Sequence, residues 1–387
     1  MKFRKLGQIA LAVAASLGVT ACGPPNTIDF LYVTASRLNV VEVYSVDSSS
    51  GSLLPLTGSP FAAGRNPVAA AASPNGQNLY VVNHDDSTVI TYAISSGGQL
   101  SNQQTCSLPG TFPTQLAVNP AGTFLYVVET YQPKFSSTTP GPGALVAFPI
   151  NANGTLGATS SLCTPVANGS SSFFPAGNSP VAVNVLAANA FVYVVNENDP
   201  SIYAFQAGTN GVLTQIGNYT VGVSPNAIAS DPTSKFLYVT DAASNQVVGF
   251  VIQTNGTLVP MQRPFSAGNL PDSIVADPRG QFVLVANYNA NTVQAYSIDR
   301  SNGNLSANAT TPTLTVDTGP TCILLDPALG RYLYSTNFLG NSISGQRMDP
   351  NSGALTPVQN SPFLASGQPT CSAAITHGNH SLQAVQP

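Results

Sequence analysis

Charge is scarce in this sequence: 12 Lys and Arg and 16 Asp and Glu in 387 residues make only 7% of the chain charged, against roughly 25% in an average soluble domain. Nucleic-acid binders need clustered cations to displace phosphate counterions. Three of the basic residues, Lys2, Arg4 and Lys5, stand at the extreme N-terminus, so nucleic acid is excluded as a partner. Tryptophan is absent and there are 3 histidines. His377 and His380 fall at the C-terminal end, no Cys or His spacing suggests zinc, and neither a metal nor a cofactor is expected. The uncharged stretch over residues 6–17 is too short to span a membrane. What is abundant is 33 Gly and 31 Pro alongside 43% apolar residues. That composition suffices for a core but is interrupted too often for long helices, and an all-β fold is expected.

Lys2, Arg4 and Lys5, the uncharged stretch after them, and Val19-Thr20-Ala21-Cys22 have the order of a signal peptide's charged, apolar and small-residue regions. A Cys directly after Ala21 resembles the lipobox of bacterial lipoproteins, which implies lipidation of Cys22. Gly23 at the next position implies the outer membrane in a Gram-negative host. The expected organisation is a signal peptide over 1–21, a lipidated Cys and short tether over 22–27, and one domain over 28–387. The membrane is then met only through the lipid anchor.

A proline recurs at Pro67, Pro113, Pro180, Pro225, Pro271, Pro320 and Pro369, and behind the first six an apolar triplet follows, such as Leu79-Tyr80-Val81 or Leu237-Tyr238-Val239. Leu31-Tyr32-Val33 is a seventh triplet with no preceding proline. An apolar strand then closes on Tyr44, Tyr92, Phe148, Phe205, Phe250 and Tyr296, with Gln346 as the exception, before a Gly-x-Leu turn at Gly51, Gly98, Gly154, Gly211, Gly256, Gly303 and Gly353. Four short strands per repeat, with turn residues between them, predict a seven-bladed β-propeller of four-stranded antiparallel blades. The first repeat lacks its inner strand and the C-terminus carries a spare one. The two ends are therefore expected to share a blade, which closes the ring and removes free edges. This register puts Cys322 and Cys371 at matching points of neighbouring inner strands, where a disulfide would lock the closure. Cys106 and Cys163 fall near outer strands of adjacent blades, and their pairing is left open.

The Tyr-Val-x-Asn strand ends, with connectors such as Ser59-Pro60-Phe61 and Ser361-Pro362-Phe363, resemble the lactonase-type seven-bladed propellers. That family includes 6-phosphogluconolactonase and carboxymuconate cyclases, and is similar to the Tyr-Val-Thr-Asn repeat propellers of bacterial surfaces. The resemblance implies a site at the mouth of the central channel, built from Gly-Pro-Arg-His at one inner strand and Asn-Glu at the end of the next. Asn196-Glu197 matches the second motif. No Arg or His occupies the two positions after any of the seven prolines.

The second strands end in Ala35, Asn83, Glu129, Asn196, Asp241, Asn287 and Asn337, a ring that could face a ligand or simply cap turns by bonding backbone N–H groups two residues on. Arg37, Arg65, Lys134 and His84 are expected on the same face, across from Glu197, Asp199, Asp241 and Asp272. This arrangement suits a small polar or anionic ligand, or a hydrated rim. The resulting reading is a lipid-anchored, monomeric propeller acting in binding or as a surface scaffold, its partner a small polar or anionic ligand, an envelope protein or a glycan. The alternative is a lactone hydrolase with Glu197 or Glu129 as base and Arg65 or His84 stabilising the oxyanion. A surface adhesion or assembly protein is the third class. The insertion over residues 131–143, with Lys134 and Phe135, departs from its own repeat and is a candidate contact loop.

Overall fold

The computed structural model describes residues 26–158, 161–186, 190–308 and 313–378; Cys22 and the expected signal peptide lie outside them. The described chain is all-β, a seven-bladed propeller. Second strands such as Asn78–Asn83 and Phe236–Asp241 are buried along their whole length. They are covered by neighbouring blades on both faces, which is why they read as unbroken apolar runs rather than as alternation. Outer strands such as Leu100–Ser107 keep most side chains in solvent.

Thr27–Ala35 pairs with Val40–Asp47 on one side and with Pro369–Thr376 on the other. The two chain ends thus complete one blade, as the repeat register requires. Cys322 and Cys371 are joined by a disulfide across the two inner strands that meet at this closure, and Cys106 is joined to Cys163. Two features depart from four uniform strands. Phe61–Ala62, Phe265–Ser266, Thr313–Thr315 and Phe363–Leu364 are short fifth segments that pair with third strands. In the third blade Phe174–Pro175 pairs with Ala144 and Leu145 at the opening of the third strand, as the fifth segments do elsewhere, and Gly157–Ala158 and Ser161–Leu162 form a small separate hairpin in place of a regular outer strand.

Adjacent blades are tied by a repeated bond between two of the sequence motifs. The triplet tyrosine of one blade donates its hydroxyl to the carbonyl of the next blade's turn glycine: Tyr32 to Gly98 at 3.2 Å, Tyr80 to Gly154 at 2.9 Å, Tyr193 to Gly256 at 2.9 Å, Tyr238 to Gly303 at 2.7 Å and Tyr334 to Gly51 at 2.7 Å. Glycine is required there twice over. At Gly303 φ is +80°, and a Cβ would stand 2.4 Å from Phe236 and from Met261 of the preceding blade.

At the closure, Asp29 is fully buried and neither carboxyl oxygen completes a hydrogen bond among the described residues. Burial pushes its carboxyl up to about 9, the neighbouring Asp326 carboxylate pushes in the same direction, and the approach of the Ala328 N–H offsets only part of the shift. The group is a neutral acid at pH 7.

Two outcomes follow for stability. Tyr238→Phe should lower unfolding free energy by about 1 kcal/mol, and Gly303→Ala by more, since it adds backbone strain and a clash to the same joint; urea melts of the two variants check the order. Asp29 has a folded pKa above its unfolded value of 3.8, so its share of stability is complete below pH ~4 and is lost as pH climbs toward 9. Asp29→Asn should therefore flatten the decline in melting temperature between pH 5 and pH 9 and stabilise the protein at the alkaline end.

Candidate functional site

In six blades the inner strand opens on its proline, which pairs with the residue that ends the second strand, and in the third, where both strands run two residues further, Pro113 pairs with Glu129: Pro67 with Asn83, Pro180 with Asn196, Pro225 with Asp241, Pro271 with Asn287, Pro320 with Asn337 and Pro369 with Ala35. The ladder slips immediately beyond this pair in every blade. A proline has no N–H to continue the ladder, and the following residue is left as a bulge. Bulges re-aim side chains. Here the bulged Val68, Thr114, Val181, Asn226, Asp272 and Thr321 stand where the inner strands enter the channel mouth.

Several of these residues bridge to the next blade. Thr114 Oγ1 donates to the Pro180 carbonyl at 2.8 Å, Thr321 Oγ1 to the Thr370 carbonyl at 2.9 Å, and Thr370 Oγ1 to the Pro67 carbonyl at 2.8 Å. Between blades five and six the bridge runs between side chains instead: Asn226 Nδ2 donates to Asp272 Oδ1 at 2.8 Å, and Thr240 Oγ1 donates to Asn226 Oδ1 at 2.6 Å. Glu197 stands beside this pair and accepts from Ser224 Oγ at 3.1 Å. Burial pushes the Asp272 carboxyl up to about 6; the Asn226 hydrogen bond opposes that shift, and the Glu197 charge adds to it. The mouth thus holds two neighbouring carboxyls, one of which titrates close to neutrality.

The ring of second-strand ends serves the scaffold. Asn83, Glu129, Asn196 and Asn287 accept the N–H of Gly64, Gly110, Gly177 and Gly268, each three residues ahead of the next proline in its own blade. Asp241 takes the N–H groups of Val223 and Ser224 at 3.1 and 2.9 Å. The capping is therefore of the incoming connector, not of a turn two residues on. Where the first blade has Ala35, Glu42 on the third strand accepts from Ser366 N–H in its place. Where the seventh has Asn337, its Nδ2 orients Ser344 Oγ, which accepts the Asp317 N–H.

These contacts settle the geometry of the sequence candidates individually. Glu129 is fully buried with both oxygens on the Gly110 N–H, and burial holds its carboxyl up to about 8; it does not face the rim as a base would. Asn83, Asn196, Asp241 and Asn287 are likewise buried in the connector bonds. Asp199 accepts the Asn178 N–H at 2.9 Å. Arg65 is held by Asp86 at 2.5 Å, and His84 by Asp85 at 2.8 Å while it stacks on Phe112. Arg65 and His84 are thus each met by a carboxylate of their own turn. Arg37 and Lys134 are exposed, Lys134 in a loop closed by the Gln132 N–H on the Pro142 carbonyl at 3.0 Å. Glu197 and Asp272 are the two expected acids that the fold brings together. Ser224, Asn226 and Thr240 were not singled out from sequence. The available signal was polarity at the first position after proline, where two blades carry Val and three carry Thr. Among the described residues no group of three or more His, Cys, Asp or Glu could hold a metal ion.

A closed ring of seven blades with a carboxyl pair at its channel mouth defines a class, the propellers whose sites sit on the axis. The sequence profile of the family described as "Lactonase, 7-bladed beta-propeller" matches residues 26–132, 143–270, 188–325 and 271–374, and the chain belongs to that family. Among curated proteins none matches. A solved structure assigned as a 6-phosphogluconolactonase from Bacteroides uniformis superposes with a TM-score of 0.73 at 18% identity, covering 90% of this chain and 100% of that one. The periplasmic gluconolactonase of Pseudomonas aeruginosa gives 0.72 at 18% identity, covering 90% and 99%. At such identities the likeness carries the fold.

Glu129→Gln keeps an acceptor for the Gly110 N–H while removing the buried acid. Because the folded pKa of Glu129 is raised above the ordinary 4.5, its stabilising share is lost as pH rises through about 8. The variant should melt higher than the parent at pH 9 and about equally at pH 5; differential scanning calorimetry at the two pH values reads this directly.

Proposed function

We propose that this protein is an exported, envelope-located hydrolase of neutral, unphosphorylated lactones, with Asp272 as general base. The observation that carries the reading is the Glu197 and Asp272 pair, set on a bulge and a strand end at the channel mouth, with one carboxyl at about 6. A base with that pKa is ionised at neutral pH yet still basic enough to draw a proton from water. A perturbed acid beside a second carboxyl in a channel mouth favours catalysis over a passive rim.

In this scheme a water delivers its oxygen to the lactone carbonyl carbon and its proton to Asp272. The ring C–O bond then breaks, and the departing alkoxide takes that proton back, giving a hydroxy acid. Asn226 Nδ2 carries a second N–H for the developing oxyanion. The negative mouth and the self-neutralised Arg65 and His84 disfavour a phosphorylated substrate, since two carboxylates repel a phosphate dianion. The gluconolactonase named for a structural neighbour acts, by that name, on an unphosphorylated lactone, which supports the same choice. Export rests on the N-terminal sequence through Cys22.

Glucono-1,5-lactone should be hydrolysed above its spontaneous rate, with 6-phosphogluconolactone slower. Asp272→Asn should lower kcat/KM by about 10²-fold or more. Glu197→Gln should shift the acid limb of the pH profile, set by Asp272 near 6, to lower pH, because it removes a like charge. A rate equal to background across a panel of neutral lactones sinks the hydrolase reading and leaves an envelope binding protein, with the loop over residues 131–143 as the first surface to probe for its partner.

A further inference from the structure

Six blades close their third strand on a buried aromatic, Tyr44, Tyr92, Phe148, Phe205, Phe250 or Tyr296, and the seventh places Gln346 there, 2% exposed. The tyrosines show what the position does. Tyr92 donates its hydroxyl to the Ala62 carbonyl at 2.6 Å, Tyr296 to the Ser266 carbonyl at 2.6 Å and Tyr44 to the Leu364 carbonyl at 3.1 Å. All three acceptors belong to the short fifth segment of the preceding blade, and each is the residue paired with the opening residue of that blade's third strand: Ala62 with Val40, Ser266 with Gln246, Leu364 with Ser342. In blade six the equivalent residue is Thr315, paired with Thr292. Its successor Val316 donates to Asn291, as Ala63, Ala267 and Ala365 donate to Asn39, Asn245 and Asn341. Gln346 pairs with Leu333 as Tyr44 pairs with Leu31, Tyr92 with Leu79 and Tyr296 with Val283.

Where an aromatic ring would lie between blades six and seven there is instead a cleft of 330 Å³, lined by Leu314, Thr315, Val316, Gln346, Pro357 and Pro362 among others. That volume is within the range of small-molecule sites. Gln346 Oε1 is buried in its wall and has no hydrogen-bond partner among the described residues. Asp317, also at the wall, has its carboxylate occupied by the Ser342 hydroxyl at 2.7 Å and the Thr318 N–H at 2.7 Å.

We propose that this cleft is a binding site for a small uncharged phenol, a single aromatic ring bearing a hydroxyl. The ring takes the space that a tyrosine side chain fills at three other joints, against Leu314, Val316 and the two prolines. Its hydroxyl donates to the acceptors there, the Thr315 carbonyl and Gln346 Oε1. A wall of acceptors with a carboxylate beside them selects a donor and rejects an anion, so phenolates and aromatic carboxylates are excluded. The site lies on an outer joint between blades and is independent of the lactone reading, which concerns the channel mouth.

The test titrates phenol, toluene and benzoate into the intact protein by calorimetry. Phenol should bind saturably, toluene at least about tenfold more weakly for want of a donor, and benzoate not at all. Gln346→Tyr should abolish phenol binding and raise the melting temperature by filling the joint. Nuclear Overhauser contacts between phenol ring protons and the methyls of Leu314 and Val316 in the unmutated protein give a second reading that does not depend on the variant folding. Absence of saturable phenol binding, phenol contacts elsewhere, or undiminished binding by a folded Gln346→Tyr would each overturn the proposal.

Discussion

The bond from a tyrosine hydroxyl to the carbonyl of a glycine one blade away is the interaction on which the ring depends. A propeller blade alone has two apolar faces, and only contact with its neighbours removes them from water. Apolar contact is not directional and would let blades slide. The hydroxyl fixes the slide, because its acceptor is a single carbonyl at a turn whose positive φ and crowded surroundings admit no side chain. Leu-Tyr-Val and Gly-x-Leu, distant in each repeat, are two halves of one joint. Their recurrence in register is what makes seven similar blades add up to a closed circle rather than a stack of loosely associated sheets.

The channel mouth inherits its geometry from the same economy of parts. Proline at the head of each inner strand withholds one ladder bond, a bulge follows, and the bulged side chain is turned toward its neighbour around the axis. In most blades that side chain is Val or a Thr that serves only to bridge to the next strand. In blades five and six it is Asn226 and Asp272, and a structural bridge becomes a polarised pair beside Glu197. The site is thus a local substitution in a repeated joint, and no loop had to be added to build it.

Much of the fold was legible in the sequence because it is periodic: proline, triplet, aromatic and glycine recur at fixed offsets, and the missing first inner strand with the spare last one dictated the shared blade. The site was legible only in part. Glu197 and Asp272 stood out as acids near the mouth, but nothing in the spacing told that Glu129 would be consumed by the Gly110 N–H, or that Arg65 and His84 would be met by Asp86 and Asp85 from their own turn. Those outcomes are decided by side-chain contacts of two ångström precision. Asn226 and Ser224 were invisible for a related reason: as single polar residues they resemble ordinary turn chemistry until the bulge sets Asn226 against Asp272 and the connector sets Ser224 against Glu197. Blade three shows the same limit at the scale of an element, since in place of a regular outer strand it carries an isolated bridge between Ile150 and Leu156 and the small hairpin of Gly157–Ala158 and Ser161–Leu162, with Cys163 bonded to Cys106 of the blade before.

The shared blade also orders events in time. Thr27–Ala35 is among the first segments of the domain to leave a ribosome, and its partner Pro369–Thr376 is among the last. Until that final segment emerges, the circle is an open arc with an unpaired strand at one end and an uncovered blade face at the other. Closure is therefore a long-range, late step, of the kind that slows folding, and a truncation that removes Pro369–Thr376 leaves Thr27–Ala35 without its inner partner. A chain built this way stays uncommitted to its finished shape for as long as it is being made.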